Sequence, residues 1–295
     1  FSRVRGLATK MLILILLGFI GWSAVRVGVE FGQYMRFVRV ARVEPGPWRT
    51  VQRVIPVFWE GVDSLELELA QAEAELRPGP GAVLAEIDAP EALHPSLEIT
   101  THRRDGSLLL RTAPPPSDSP AHYRLTIQIP LELTHLIVSY SGSIKGTAHW
   151  YGLDLQGVSI GEAVIRGGEL EVRDAQIGSL SLRDTLRVHL INVEIGRLTG
   201  EGTIYQFAVV DPRIPAGGAV YEIAGCDGGG CTFVFTGPFH LRLALGPQAQ
   251  LKTGLDHRRE GEFYIFGDET LPPLEVRVGD GTVEVLVAPS ESSGP

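Results

Sequence analysis

The chain's two cysteines, Cys226 and Cys231, close the segment CDGGGC, with three glycines among the four residues between them. A disulfide across so short a loop suits an oxidising compartment, and two free thiols are the alternative. Zinc would need about four ligands, and no second Cys or His pair stands nearby. No CxxCH is present for haem attachment. The eight histidines (94, 102, 122, 135, 149, 189, 240 and 257) form neither HxH nor HExxH. DGGG lacks the GK[ST] of a phosphate loop and the alternating acids of a calcium loop. Hydrolysis of glycans needs carboxylates converging on one face. Here Asp174 and Asp211 occupy turn positions, while Asp154, Glu171 and His189 share one outward-facing repeat position. These residues read as bends and as a solvated face. No catalytic, cofactor-binding or metal residue is assigned, and the chain is expected not to be an enzyme.

The element that must position these side chains is a repeat. LDLQGVSIG from 153, LEVRDAQIG from 170, VHLINVEIG from 188 and FAVVDPRIP from 207 share apolar residues at positions 1, 3, 6 and 8, spaced 17, 18 and 19 residues apart. IVSYSGSIK from 137 reads as an imperfect earlier copy. The fifth positions, Gly157, Asp174, Asn192 and Asp211, are types that tolerate left-handed backbone or bond their own backbone at a bend. Each unit is therefore two short strands meeting at a corner. The echoing endings IGE, IGS and IGR carry less information than these corners. Such units cannot bury an apolar face alone, and stacking them does so. The expectation is a mainly β chain built on a short β-solenoid with flanking strands. Open solenoid ends need caps. Strands within 64–112 and the C-terminal pieces LRLALG, GEFYIFG and LEVRVGDGTVEVLV are the candidates, with VGDGT read as a hairpin turn.

Charge divides the chain. Residues 1–53 hold nine Arg or Lys against two acids, whereas the whole chain carries a net −9. The acidic body argues against nucleic acid, which demands clustered cations. The basic head contains MLILILLGFIGWSAV, residues 11–25. Extended to Val29, it approaches the roughly 20 residues that cross a bilayer. A retained single-pass transmembrane helix is expected here, with a cleaved leader as the rival. Lys10, Trp22, Arg26, Arg36, Arg39 and Arg42 are its expected lipid-headgroup or partner contacts. The excess of positive charge before the span leans toward an extracytoplasmic body.

The expected organisation runs from a basic tail (1–10) through the helix and its continuation (11–43) to a linker (44–62). A first β region (63–112), a Pro-rich linker (113–122), the solenoid (123–245) and C-terminal hairpins with a tail (246–295) follow. His149, Trp150 and Tyr151 interrupt an aliphatic stretch as a candidate contact patch, packing against the first turn being the alternative.

The series SLELELAQAEAELRPGPG, SLEITTHRRDGSLLLRT and LTIQIPLELTHLIVSYSGSI, followed by short β repeats, resembles the toast-rack family of adhesin-like repeats in bacterial cell-envelope stress-response proteins. The resemblance implies a non-catalytic stacked-strand domain on a membrane anchor and carries over no functional residue. The expected partners are the lipid bilayer and other membrane or envelope proteins, including a large membrane complex, with self-association as a further option. The expected role is that of a scaffold, accessory or sensing subunit. A surface adhesin or pilus-like filament subunit that binds glycans is the alternative, since RVRGLATKMLILILL also resembles a prepilin leader.

Overall fold

The computed structural model describes residues 47–79, 81–113, 121–129, 132–140, 152–202 and 204–288. The expected membrane helix and its continuation, 11–43, lie outside these residues. Among the described residues, no helix is long and apolar enough to cross a membrane. The described residues from Arg49 onward form one compact unit.

The described fold is mainly β. Its strands are β1 (Trp48–Pro56), β2 (Ser64–Leu69), β3 (Ala72–Pro78), β4 (Ala82–Pro90), β5 (Ile99–Arg104), β6 (Ser107–Thr112) and β7 (His122–Ile129). Next come β8 (Glu132–Tyr140), β9 (Gly152–Gln156), β10 (Ser159–Arg166), β11 (Glu169–Arg173), β12 (Gln176–Arg183), β13 (Arg187–Ile191) and β14 (Glu194–Glu201). The chain closes with β15 (Ile204–Val210), β16 (Ala219–Ile223), β17 (Cys226–Phe235), β18 (His240–Thr253), β19 (Arg258–Glu260), β20 (Phe263–Gly267) and β21 (Leu274–Val287). Among the described residues they join one mixed sheet.

Consecutive strands of the repeat do not pair with each other. Instead β8, β10, β12, β14 and β16 form one parallel ladder, and β9, β11, β13, β15 and β17 form a second. The cause lies in the alternation of side chains. Leu136, Ala163, Leu180, Leu198 and Tyr221 share one register row and are all buried. Leu153, Leu170, Val188, Phe207 and Cys231 do the same in the second ladder. Parallel pairing, at 17 to 19 residues within the repeat and 23 to 27 at its ends, is the arrangement that keeps every apolar face inward. Burial stabilises each large aliphatic side chain by about 1.5–3 kcal/mol.

The rungs turn at left-handed residues. Gly157, Asp174, Asn192 and Asp211 have φ of 62°, 51°, 50° and 47°. At these corners the ladder continues through backbone bonds: Gly157 N donates to Arg173 O, Asp174 N to Ile191 O and Asn192 N to Val210 O, at 2.9–3.1 Å. A second left-handed series, Gly167, Asp184 and Gly202, turns the other end of each rung with φ of 78°, 51° and 75°. The glycines of IGE, IGS and IGR prove more informative than the sequence reading allowed. A Cβ on Gly161 would come within 2.8 Å of Thr134 O, and one on Gly178 within 2.5 Å of Gly161 O. These glycines stack where β10, β12 and β14 bend, at a skipped register position. A side chain there would push the rungs apart.

The ends are interwoven. β2 and β3 lie between β6 and β7 on one side and β8 and β9 on the other. They form an internal rung in place of the expected cap. At the other end β21 enters between β16/β17 and β18. VGDGT is accordingly no hairpin. Both halves of β21 pair parallel to their neighbours, so the chain rounds a corner within one rung, with Gly281 at φ 97°. The copy expected at 137 also falls elsewhere: Ile137 pairs with Val164 in the first ladder. Its place beneath Leu153 is taken by Ala74. Capping is left to antiparallel strands. β4 covers β7, β5 covers β6, and β20 covers the first half of β18.

Leu180→Ala should lower unfolding free energy by about 2–5 kcal/mol, since Leu180 is buried between Ala163 and Leu198. Ser181→Ala, on the opposite face, should stay within about 0.5 kcal/mol. Urea titration of both variants checks the assignment of inner and outer faces.

Candidate functional site

With the interior given to apolar side chains, the chemistry-bearing residues stand on the outer faces. Eight of them line a groove of about 510 Å³ on the second ladder: Glu73, Glu75, Arg124, Asp154, Glu169, Glu171, Arg187 and His189. Register places Glu75, Asp154, Glu171 and His189 in one row across β3, β9, β11 and β13. The flanking row holds Glu73, Gly152, Glu169 and Arg187. Gly152 makes the hollow: nothing lies within 4 Å of where its Cβ would stand. Arg187 reaches Glu169 at 3.5 Å, and Arg124 reaches Glu73 at 3.6 Å. The Arg173 guanidinium donates through Nε to Glu171 at 2.6 Å.

Asp154 differs from its neighbours. Its Oδ1 is buried with no hydrogen-bond partner among the described residues. Desolvation, then the neighbouring Glu171 carboxylate, hold its pKa above the usual carboxylate range, with Arg173 opposing. This row can accept a cationic group from outside. Among the described residues, no three His, Cys, Asp or Glu side chains are grouped to hold a metal ion.

The residues singled out in the sequence fall in separate places. Asn192 Nδ2 donates to Asp174 Oδ1 across one rung. Asp211 accepts from Thr236 N at 2.6 Å and from Thr236 Oγ1 at 2.8 Å. Gly157 adds only its backbone turn. These corners bind the stack to itself. Cys226 and Cys231 are joined by a disulfide, both buried. The bond closes a bulge in β17 where register with β15 and β21 shifts. Its glycines face Lys252 and Glu284 across a hollow of about 400 Å³. Lys10, Trp22, Arg26, Arg36, Arg39, Arg42, His149, Trp150 and Tyr151 lie outside the described residues.

Two features escaped the sequence reading. The corners Gly167, Asp184 and Gly202 recur at 17 and 18 residues, a signal masked because the residue that follows each, Gly168 and Thr185 for the first two, does not repeat. The second is a hollow of about 680 Å³ beside Asp211, where Phe235 and Phe239 stack with centroids 4.0 Å apart. TGPF carries no periodicity that would have exposed it.

No family model and no curated protein matches the chain. Solved structures similar to it include a "putative cell adhesion protein" from Clostridium sporogenes. That protein has 13% identity and a TM-score of 0.31, over 81% of this chain and 100% of the other. A "putative adhesin" from Parabacteroides distasonis has 12% identity and a TM-score of 0.41, covering 81% of this chain and 97% of its own. A "putative lipid binding protein" from the same organism has 14% identity and a TM-score of 0.37, covering 80% and 96%.

Because the folded state holds the Asp154 proton more tightly than the unfolded chain, its charge opposes folding once pH exceeds the unfolded value of about 3.9. Asp154→Asn should therefore raise the melting temperature at pH 7, and the gain should vanish below that value. Thermal melts at both pH values check the sign. Replacing Cys226 and Cys231 together by Ser opens a short loop and should cost about 2 kcal/mol by chain entropy. Urea titration of oxidised wild type against the double variant measures it.

Proposed function

We propose that the chain is a membrane-anchored, non-catalytic β-solenoid acting by protein–protein contact at the cell envelope, as a scaffold, accessory or sensing subunit. One observation carries this reading. The stack spends its interior on apolar packing and presents its charges as registered outer rows that pair largely with one another. Arg183 with Glu201, Arg197 with Glu222 at 3.2 Å and Arg187 with Glu169 each bridge neighbouring rungs. Exposed pairs of this kind stabilise little, but they lay out a long, fixed charge pattern. Among the described residues one ladder runs β6, β2, β8, β10, β12, β14, β16, β21, β18, and at about 4.8 Å per step it rises roughly 40 Å.

The groove around Asp154 is the contact point we assign, and a partner's Lys or Arg side chain is the group that would satisfy its orphan oxygen. In this reading the apolar run at 11–25 is the anchor, and the chain is one of the toast-rack-like repeats that its sequence resembles. The disulfide supports an extracytoplasmic body.

A second reading, a self-assembling surface adhesin, is favoured by one feature. Gln248–Thr253 in β18 pair only with β21, and no described strand covers their other edge. Such an edge can add a strand from another chain.

Gentle detergent extraction of the full chain should recover it with defined membrane proteins, and Asp154→Lys should reduce that recovery. Extraction of the chain alone and monomeric would overturn the accessory-subunit reading. Recovery as homopolymers would favour the adhesin.

A further inference from the structure

We propose that the β1 end of the stack rests on the lipid surface, so that exposed apolar side chains beside β1 lie in the headgroup layer. The inference builds on the membrane-anchor reading above. Among the described residues β1 is the outermost strand of its ladder, and it pairs with β4. Thr50 bonds Asp88, and Gln52 Nε2 donates to Glu86 at 2.7 Å. These contacts step two residues forward on β1 and two back on β4, and one further step of that kind sets Val54 beside Leu84. Val54 is 72% exposed and Leu84 36%, and Phe58, just beyond the strand, is 79% exposed. Apolar side chains this exposed at one end of a molecule mark a contact surface.

Lipid is the occupant that the chain itself supplies. The apolar run 11–25 ends 22 residues before β1, and Arg26, Arg36, Arg39 and Arg42 outnumber Glu30 and Glu44 in between. Such a connection is attracted to anionic headgroups and holds the β1 end at high effective concentration near the bilayer. Phe and Val then gain by entering the interface rather than facing water. Elsewhere Tyr205 on β15 and Val220 on β16 are exposed, and one exposed apolar pair on β21, Leu286 and Val287, is 39% and 47% exposed. It lies nine strand positions along the same ladder, roughly 43 Å away.

The test uses the full chain in vesicles of phosphatidylcholine with phosphatidylglycerol. Val54→Cys, Phe58→Cys and Leu286→Cys are each labelled with an environment-sensitive fluorophore, and wild type gives the labelling background. Blue-shifted emission at 54 and 58, quenched by headgroup-region nitroxide lipids, with 286 unshifted, is the expected result. Water-like emission at all three sites on chains that float with the vesicles overturns the proposal and leaves the anchor standing. Shifted emission at 54 and 58 that lipid nitroxides do not quench also overturns it, in favour of a protein partner. Chains that fail to float overturn the anchor reading, and the proposal with it.

Discussion

Everything in this molecule depends on rung register. A parallel strand whose side chains alternate tolerates no slip of one residue, because a slip exposes its whole apolar face and buries its charges. The spacing between repeats grows from 17 to 19 residues, yet Leu153, Leu170, Val188 and Phe207 stay in one row. The extra residues are therefore taken up at the rung ends near 184 and 202, the last of them in an irregularity at the start of β15 where Tyr205 N and Gln206 N both donate to Leu186 O. Left-handed corners make this practicable, because the amide that leaves one strand bonds to the next rung instead of being orphaned. The glycines at 161, 178 and 196 meet the same demand from the steric side, letting neighbouring backbones close to a distance that any Cβ would prevent.

Register also explains where polarity is allowed. Asp154 and Tyr221 are the instructive exceptions. The Tyr221 ring fills the row between Leu198 and Val276, but its hydroxyl is buried with no partner among the described residues, and burial pushes the phenol pKa up. It contributes volume and carries an unmade hydrogen bond as the cost. Asp154 carries a similar orphan on the outer side, where an incoming group could reach it. The same defect is inert in the core and available in the groove.

How much of this could be read beforehand depended on how local the cause was. The corners at 157, 174, 192 and 211 and the rows between them follow from side chains a few residues apart, so periodicity revealed them. The interleaving of β2 and β3 ahead of β8 does not, because an alternating strand such as SLELEL fits beneath any apolar rung. Its choice of neighbours is settled by what else must be covered. VGDGT misled for a related reason. Glycine and aspartate meet the demands of a hairpin and of a rung corner equally well, and only the strands alongside decide between them. The groove was half legible: Asp154, Glu171 and His189 were seen to share a row. The hollow arises from a glycine in the adjacent row and from Glu75, which joins from 79 residues earlier.

The interwoven ends have a mechanical consequence. In a simple coil the terminal rung is bonded on one side, and tension on the chain peels it away one hydrogen bond at a time. Here the first rung, β2 with β3, is gripped by strands on both sides, and so is β21, the last described strand. Once β1 has detached, a load entering from the N-terminal side meets β2 between two parallel neighbours. It must shear both sets of bonds together. The fold is thus closed against pulling at the end where its chain leads toward the apolar segment, as a knot is tightened by the rope that loads it.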